Sequence, residues 1–267
     1  MEERRQRQQA YRRARRKFAC LSYMLTVLWM VLALIQWLVI SLIEVVRDVF
    51  IDWYWISIIF FVLAMILVTL FIFIEKIRYI IVLNWVITIL IVEFVIVGLF
   101  ALAAKTLWPD LILWFFVCVL LLFVFILLGS ILPHDLTLDV VTLFVVAFIF
   151  LVSTIFFIMV YVILAMPYSF LVFQIFISIV VLLFVMYHAQ TINGGRFAEM
   201  RLSDYLLASL ILFLDFIILF LLTFYSQIVY KLASSHSSTT SFTSSTTSFN
   251  TTTASSESQE QNAPAEA

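Results

Sequence analysis

Charge is scarce in this chain, and so are the residues that punctuate a soluble fold. Of 267 residues only 12% are charged, four are glycine, four are proline and two are cysteine. Soluble domains carry about 25% charged residues, so a water-exposed surface of the usual kind is excluded. Cys20 and Cys118 have no metal-ligand spacing and form no disulfide framework; both read as small apolar helix residues. His134, His188 and His236 lie far apart in the sequence. No phosphate-binding loop, dinucleotide glycine pattern, nucleophile elbow or His-Glu metalloprotease motif is present. An enzyme is therefore not expected, and no cofactor is implied. An intramembrane hydrolase built on Asp215 and His188 lacks a second acid, a nucleophile and a metal cluster.

What the chain has in abundance is apolar sequence, at 65% hydrophobic residues. The apolar runs are continuous and show no period of two, which excludes a β-barrel. Seven candidate spans emerge, at 18–43, 53–74, 79–104, 111–132, 138–164, 168–191 and 204–230. Each reaches the ~20 residues that cross ~30 Å of hydrocarbon at ~1.5 Å per residue. Trp53, Tyr54, Trp55, Tyr79, Trp108, Tyr168 and Tyr230 cluster near span ends, where interfacial aromatics belong. The fold expected is an all-α polytopic membrane protein, a seven-transmembrane-helix bundle. No internal repeat or pair of broken helices points to a secondary transporter.

The net charge of −1 hides an asymmetry: Arg4, Arg5, Arg7, Arg12, Arg13, Arg15, Arg16 and Lys17 crowd the first 17 residues. This arm, residues 1–17, reads as a topology signal that keeps the N-terminus cytosolic, with contact to anionic headgroups as a companion role. Nucleic acid is not an expected partner, and the apolar run that follows exceeds a signal-peptide core. Alternation then puts Lys76, Arg78, Arg196 and Arg201 on the same cytosolic side. The connections are short, and only the one from Asn193 to Ser203 has any length. Gly194 is expected to end one helix in a left-handed cap and Ser203 to cap the next. Arg196 and Arg201 read as solvated loop residues, with headgroup or partner binding as the alternative.

Residues 231–267 form a Ser/Thr-rich tail that ends acidic, a composition that buries too little apolar surface to fold. With seven spans the tail is lumenal or extracellular, and Asn250-Thr251-Thr252 is an N-glycosylation acceptor. With six spans it is cytosolic.

Ionisable side chains inside a bilayer are costly and mark function by default. Two acids lie well inside the spans, Glu93 and Asp215, and His188 lies near one span end. Each acid needs a partner, a proton or water. The alternative to an ion path is a hydrogen-bonded acid that ties helices together. Gln174, Ser178 and His188 share one helical sector at ~100° per residue and are candidate path-lining residues.

Several short motifs, in order, carry a resemblance. They are Glu93-Phe94-Val95-Ile96-Val97-Gly98, Asp135-Leu136-Thr137, His188-Ala189-Gln190-Thr191-Ile192-Asn193-Gly194-Gly195, Asp204-Tyr205 and Asp215. Together with Arg15-Arg16-Lys17-Phe18 and the Val46-Arg47-Asp48 turn, they resemble the Bax-inhibitor/Lifeguard family, the transmembrane Bax-inhibitor-motif proteins, and within it the Lifeguard branch. The resemblance covers about residues 15–230. It implies a calcium-leak or calcium-homeostasis protein of the endoplasmic reticulum or Golgi, with the plasma membrane as a further location, that suppresses apoptosis. It also implies Ca²⁺ as the permeant ion, in transient contact with Asp215, and partners among membrane proteins of the cell-death machinery. The family pairs two aspartates as a proton-sensitive gate. Asp215 matches the second, and His188 stands where the first is expected. A His–Asp pair carries no net charge when both are ionised, unlike two acids sharing a proton, and a free imidazole titrates near pH ~6.5. The departure leaves a second reading open: a non-conducting interaction protein that keeps the fold.

Overall fold

Outward-facing leucine, isoleucine and phenylalanine cover much of the molecule, as on α3 (Tyr54–Phe73), where Ile58, Val62, Ile66 and Phe73 are exposed. The computed structural model describes residues 1–164 and 167–223, with side chains save those at 157, 158, 160–164, 167–171 and 173. The tail with Asn250, the last expected span beyond 223, and the side chains of Tyr168 and Tyr230 lie outside the described residues. Among the described residues every regular element is a helix, and none is a strand. Six helices are long and apolar enough to cross a membrane, and Val140–Phe156 adds a shorter apolar stretch. Such helices with apolar outer faces are compatible with an integral membrane protein.

The first helix, α1 (Glu2–Leu42), has 41 residues and is therefore about 60 Å long, twice the ~30 Å hydrocarbon thickness. Residues 2–17 thus continue the first span as helix, and the basic arm is itself helical. The sequence favours this: arginine, glutamine and alanine are good helix formers, and Glu2 and Glu3 sit in the first turn, where acids complement the helix dipole. Below the arm, Phe18, Ser22, Leu25, Trp29, Ala33, Trp37 and Ile40 recur every third or fourth residue and are buried. Trp37 stacks on Phe220 at 4.9 Å and meets Phe115 edge-on at 6.5 Å.

Beyond α1, a nine-residue helix α2 (Glu44–Asp52) has no buried residue; its Phe50 packs edge-on against Phe100 at 5.0 Å. Then come α3, the short α4 (Glu75–Tyr79), α5 (Ile81–Gly98) and α6 (Phe100–Ala104). The expected span at 79–104 is therefore broken, at Leu99 between α5 and α6. Freed backbone groups inside a bilayer need partners, and here they have them. Trp37 Nε1 donates to the carbonyl of Ile96 at 3.1 Å, and the Ala101 N–H donates to Ser57 Oγ at 3.2 Å.

The remaining helices are α7 (Trp108–Ile131), α8 (Val140–Leu164), α9 (Pro167–Asn193) and α10 (Tyr205–Thr223). α9 packs on both α7 and α8, and α3 packs on α5. At Gly129 a Cβ would stand 2.7 Å from the backbone oxygen of Met186, so only glycine lets α7 and α9 approach this closely. α10 is the central helix: 67% of its apolar window is buried, the highest share of the six.

All the segments expected on one side meet at one end of the bundle, the end that carries the arm. Arg196 donates to the carbonyls of Leu132 and, at 3.0 Å, Pro133. Gln190, 1% exposed, donates to the carbonyl of His134 at 2.9 Å and accepts from the N–H of Leu136 at 2.8 Å. Arg201 bonds Glu75 at 3.1 Å and the Tyr79 hydroxyl at 2.9 Å, and Arg78 lies 4.0 Å from Asp204. Arg196 and Arg201 thus bond other segments, Arg196 half-buried and Arg201 at the exposed surface. Gly194, at φ 73°, ends α9 as expected, its N–H bonding the carbonyl of Gln190. Ser203 does not cap α10. Its hydroxyl contacts the Asp204 carboxylate at 3.3 Å, and the Asp204 carbonyl accepts the first helical bond, from Ala208.

Candidate functional site

Asp215 sits near the middle of α10, the most enclosed helix, and is 7% exposed. A carboxylate there has lost its water and requires a partner. The partner is His188 of α9: Nδ1 and Asp215 Oδ2 are 2.7 Å apart. The two spaced residues singled out in the sequence are therefore one pair.

His188 is held by what surrounds it. Its ring lies 5.6 Å from that of Tyr187, edge-on, and 6.2 Å from that of Phe184. The hydroxyl of Thr191 bonds its carbonyl at 2.8 Å. Its side chain is 20% exposed, against 9% for that of Asp215, so the pair is open to its surroundings on the histidine side. Chemically, an imidazole and a carboxylate at this distance can share one proton, as an ion pair or as a neutral hydrogen bond.

The other candidates do not converge on this pair. Glu93 is half-buried on α5, and both its oxygens accept from Gln36 Nε2 of α1, at 3.1 and 3.0 Å. It ties two helices together. Gln174 donates to the carbonyl of Leu222 on α10, while its own Oε1 is buried without a partner. Ser178 makes no side-chain hydrogen bond among the described residues. Three surface cavities of about 680, 410 and 360 Å³ are lined by other residues than Asp215, His188 and Glu93. Among the described residues no three His, Cys, Asp or Glu side chains group closely enough to hold a metal ion. Asp215 therefore offers a cation one carboxylate, already bonded.

A second polar centre lies at the arm end of the bundle, and its focus, Arg15, was not expected. Arg15 is 5% exposed. Its guanidinium donates to the carbonyls of Thr191 and Met200, lies 4.0 Å from Glu199 and sits over the Phe18 ring at 5.0 Å. Charge patterning does not distinguish this arginine from its neighbours. The available signal is its register, one turn before the buried stripe that begins at Phe18. Glu199 also accepts from the Tyr11 hydroxyl and the Gly195 N–H. These donors, Tyr11 first, with the charge of Arg15, hold its carboxyl below the usual range, while the same bond raises the Tyr11 hydroxyl. Asp135 is lowered as well, chiefly by the Thr137 hydroxyl at 2.6 Å and then by the Phe197 and Thr137 N–H groups and the charge of Arg196. Glu75 is lowered by Arg201, through its hydrogen bond and its charge.

No protein-family model, no curated protein and no solved structure matches this chain.

Proposed function

We propose that this chain is a seven-span membrane protein of Bax-inhibitor/Lifeguard type, without enzymatic activity, that leaks calcium from the endoplasmic reticulum or Golgi and thereby restrains cell death. One observation carries the reading: an acid in the most enclosed helix is bonded at 2.7 Å to the imidazole of His188 on α9. Intramembrane acid–histidine contacts recur along ion and proton paths. In this reading the pair is the closed gate, with the Asp215 carboxylate occupied by His188. Loss of the bond frees the carboxylate for a passing Ca²⁺, an oxygen-seeking ion. Glu93 is a secondary acid, and Gln174 and Ser178 line the approach along α9.

The seven-span count has independent support. Leu132 and Arg196 bond directly, so the ends of α7 and α9 share one side. A chain that leaves that side after α7 and returns at the end of α9 has crossed an even number of times. If α9 spans, α8 spans too, and its 25 residues suffice for ~30 Å.

A second reading has its own observation. With both members ionised, a histidine opposite Asp215 cancels the charge that attracts a cation, which favours a non-conducting scaffold for partner membrane proteins. Calcium efflux from liposomes holding the purified full-length protein, at about pH 6 and about pH 8, separates the two. The leak reading expects efflux that differs between the two pH values and is lost in Asp215→Asn. Folded protein that leaks at neither pH leaves the scaffold reading. Unchanged efflux in Asp215→Asn, or a pH profile unaltered in His188→Asp, removes the pair as gate.

A further inference from the structure

We propose that the basic cavity at the root of the α1 arm binds a phosphomonoester, supplied by the headgroup of an anionic lipid in the facing leaflet. The cavity measures about 680 Å³, and its walls include Arg7, Arg12, Arg15 and Arg16 of α1 together with Gly194 and Gly195 beyond α9. Residues 12, 15 and 16 fall on one helical face, so the arm turns a row of guanidinium groups toward the α9 exit.

The charges in this cavity do not balance. Arg7 is paired with Glu3 at 2.7 Å. Arg15 has Glu199 at 4.0 Å, and the oxygens of Glu199 are taken up by Tyr11 and Gly195. Arg12 and Arg16 have no hydrogen bond or ion pair among the described residues. Two cations in one cavity therefore lack a counter-charge, and a phosphomonoester carries about −1.5 to −2 at neutral pH. Guanidinium pairs are the donors that match phosphate oxygens.

A buried donor lies in the wall of the same cavity. Arg15 Nε is buried without a hydrogen-bond partner, although the arginine's other nitrogens are engaged. It lies beside Gly194, a wall of the cavity, where even a Cβ would stand only 2.5 Å away. Buried guanidinium donors are normally satisfied.

The setting selects the source. Phe18 and Ala19, the first buried apolar residues of α1, begin two positions after Arg16, and Gly194 directly follows the apolar α9. The cavity therefore lies at headgroup level, where a lipid is present at high local concentration and anionic headgroups attract basic segments.

The test uses purified full-length protein in neutral detergent and four probes: short-chain phosphatidylinositol phosphate, short-chain phosphatidylinositol, the soluble inositol phosphate headgroup and inorganic phosphate. Binding is read by thermophoresis on the wild type, on Arg12→Gln/Arg16→Gln and on Arg13→Gln/Lys17→Gln. The last pair removes the same charge from a face turned ~100° around the helix. The expected result is binding of phosphatidylinositol phosphate that weakens about tenfold to thirtyfold in the cavity pair and less than about twofold in the control pair. Tighter binding of the lipid than of its soluble headgroup assigns the source to the bilayer, and equal binding assigns it to soluble phosphate. Equal losses in both variants, or phosphatidylinositol binding as well as its phosphate, overturns the proposal.

Discussion

Arg15 of α1 donates to the carbonyl of Thr191 on α9, across 176 residues of sequence, with both residues buried. A second bond, to the carbonyl of Met200, fixes the chain beyond α9 to the same side chain. Removing the arginine takes the charged donor from both carbonyls and leaves that of Thr191 with only the Met200 N–H, at 3.1 Å. Hydrogen bonds from a charged donor contribute ~1.5–3 kcal/mol each, so Arg15→Gln is expected to lose roughly 3–5 kcal/mol. Arg15→Lys recovers only part of this, because an ammonium does not fork to two carbonyls. Arg16→Gln, exposed one residue away, stays within ~0.5 kcal/mol. Unfolding midpoints of the purified variants check the order; equal midpoints for Arg15→Gln and Arg16→Gln would show that the bonds to Thr191 and Met200 add nothing.

Gly194 and Gly195 share a left-handed backbone, at φ 73° and 77°, but not the same surroundings. A Cβ on Gly195 meets nothing within 4 Å, whereas one on Gly194 would stand 2.5 Å from Arg15 Nε. Gly195→Ala is therefore expected to lose only the backbone term, ~1–2 kcal/mol. Gly194→Ala adds a clash that displaces the guanidinium and is expected to approach the loss seen in Arg15→Gln. In an Arg15→Gln background the difference between the two alanine variants should shrink. A difference that stays the same would separate Gly194 from Arg15.

The all-helical class, the long apolar helices and the end of the bundle shared by Arg78, Arg196 and Arg201 were legible from apolar run length and charge alternation, because a bilayer imposes both. The break at Leu99 was not, since it depends on Trp37 and Ser57 waiting on other helices to take the freed backbone groups. His188 and Asp215 were legible as costly residues, but their contact depends on the rotation of α9 against α10, which spacing along one helix does not encode. Arg15 was hidden for a related reason: eight basic residues within a few turns look alike until the loop after α9 folds over one of them.

Glu199, Asp135 and Glu75 all have carboxyls held below their ordinary values by donors from other segments. A carboxylate with a lowered folded-state value contributes stability that is complete above its unfolded value and is lost as the pH falls through the folded one. The arm-end network is therefore expected to be unaffected down to about pH 5 and to weaken below about pH 4. Arg15, Arg78, Arg196 and Arg201 face these acids and stay charged throughout, so acid leaves their charge uncompensated. Thermal midpoints of wild type and Asp135→Asn, followed from neutral to acid, test this. The variant should begin lower and fall less steeply, because one of the titrating groups is gone. Parallel curves would mean that Asp135 adds nothing to the acid sensitivity.

The side on which the tail emerges follows from counting crossings. Arg196 bonds the carbonyls of Leu132 and Pro133, Arg201 bonds Glu75, and Arg15 bonds Met200. The arm, α4, the α7 exit and the α9 exit therefore lie together. α10 leaves this side at Tyr205, and its 19 described residues, apolar on average, are long enough to cross. If the arm is cytosolic, as its arginines require, the tail is lumenal and Asn250-Thr251-Thr252 meets the glycosylation machinery. Full-length protein expressed in animal cells is expected to run heavier than its mass, to lose that shift on endoglycosidase treatment, and to lack it in Asn250→Gln. An acceptor site moved into the Asn193–Ser203 loop should remain unmodified. Modification of that loop with none at Asn250 would invert the molecule, and modification of neither site would argue that α10 does not cross.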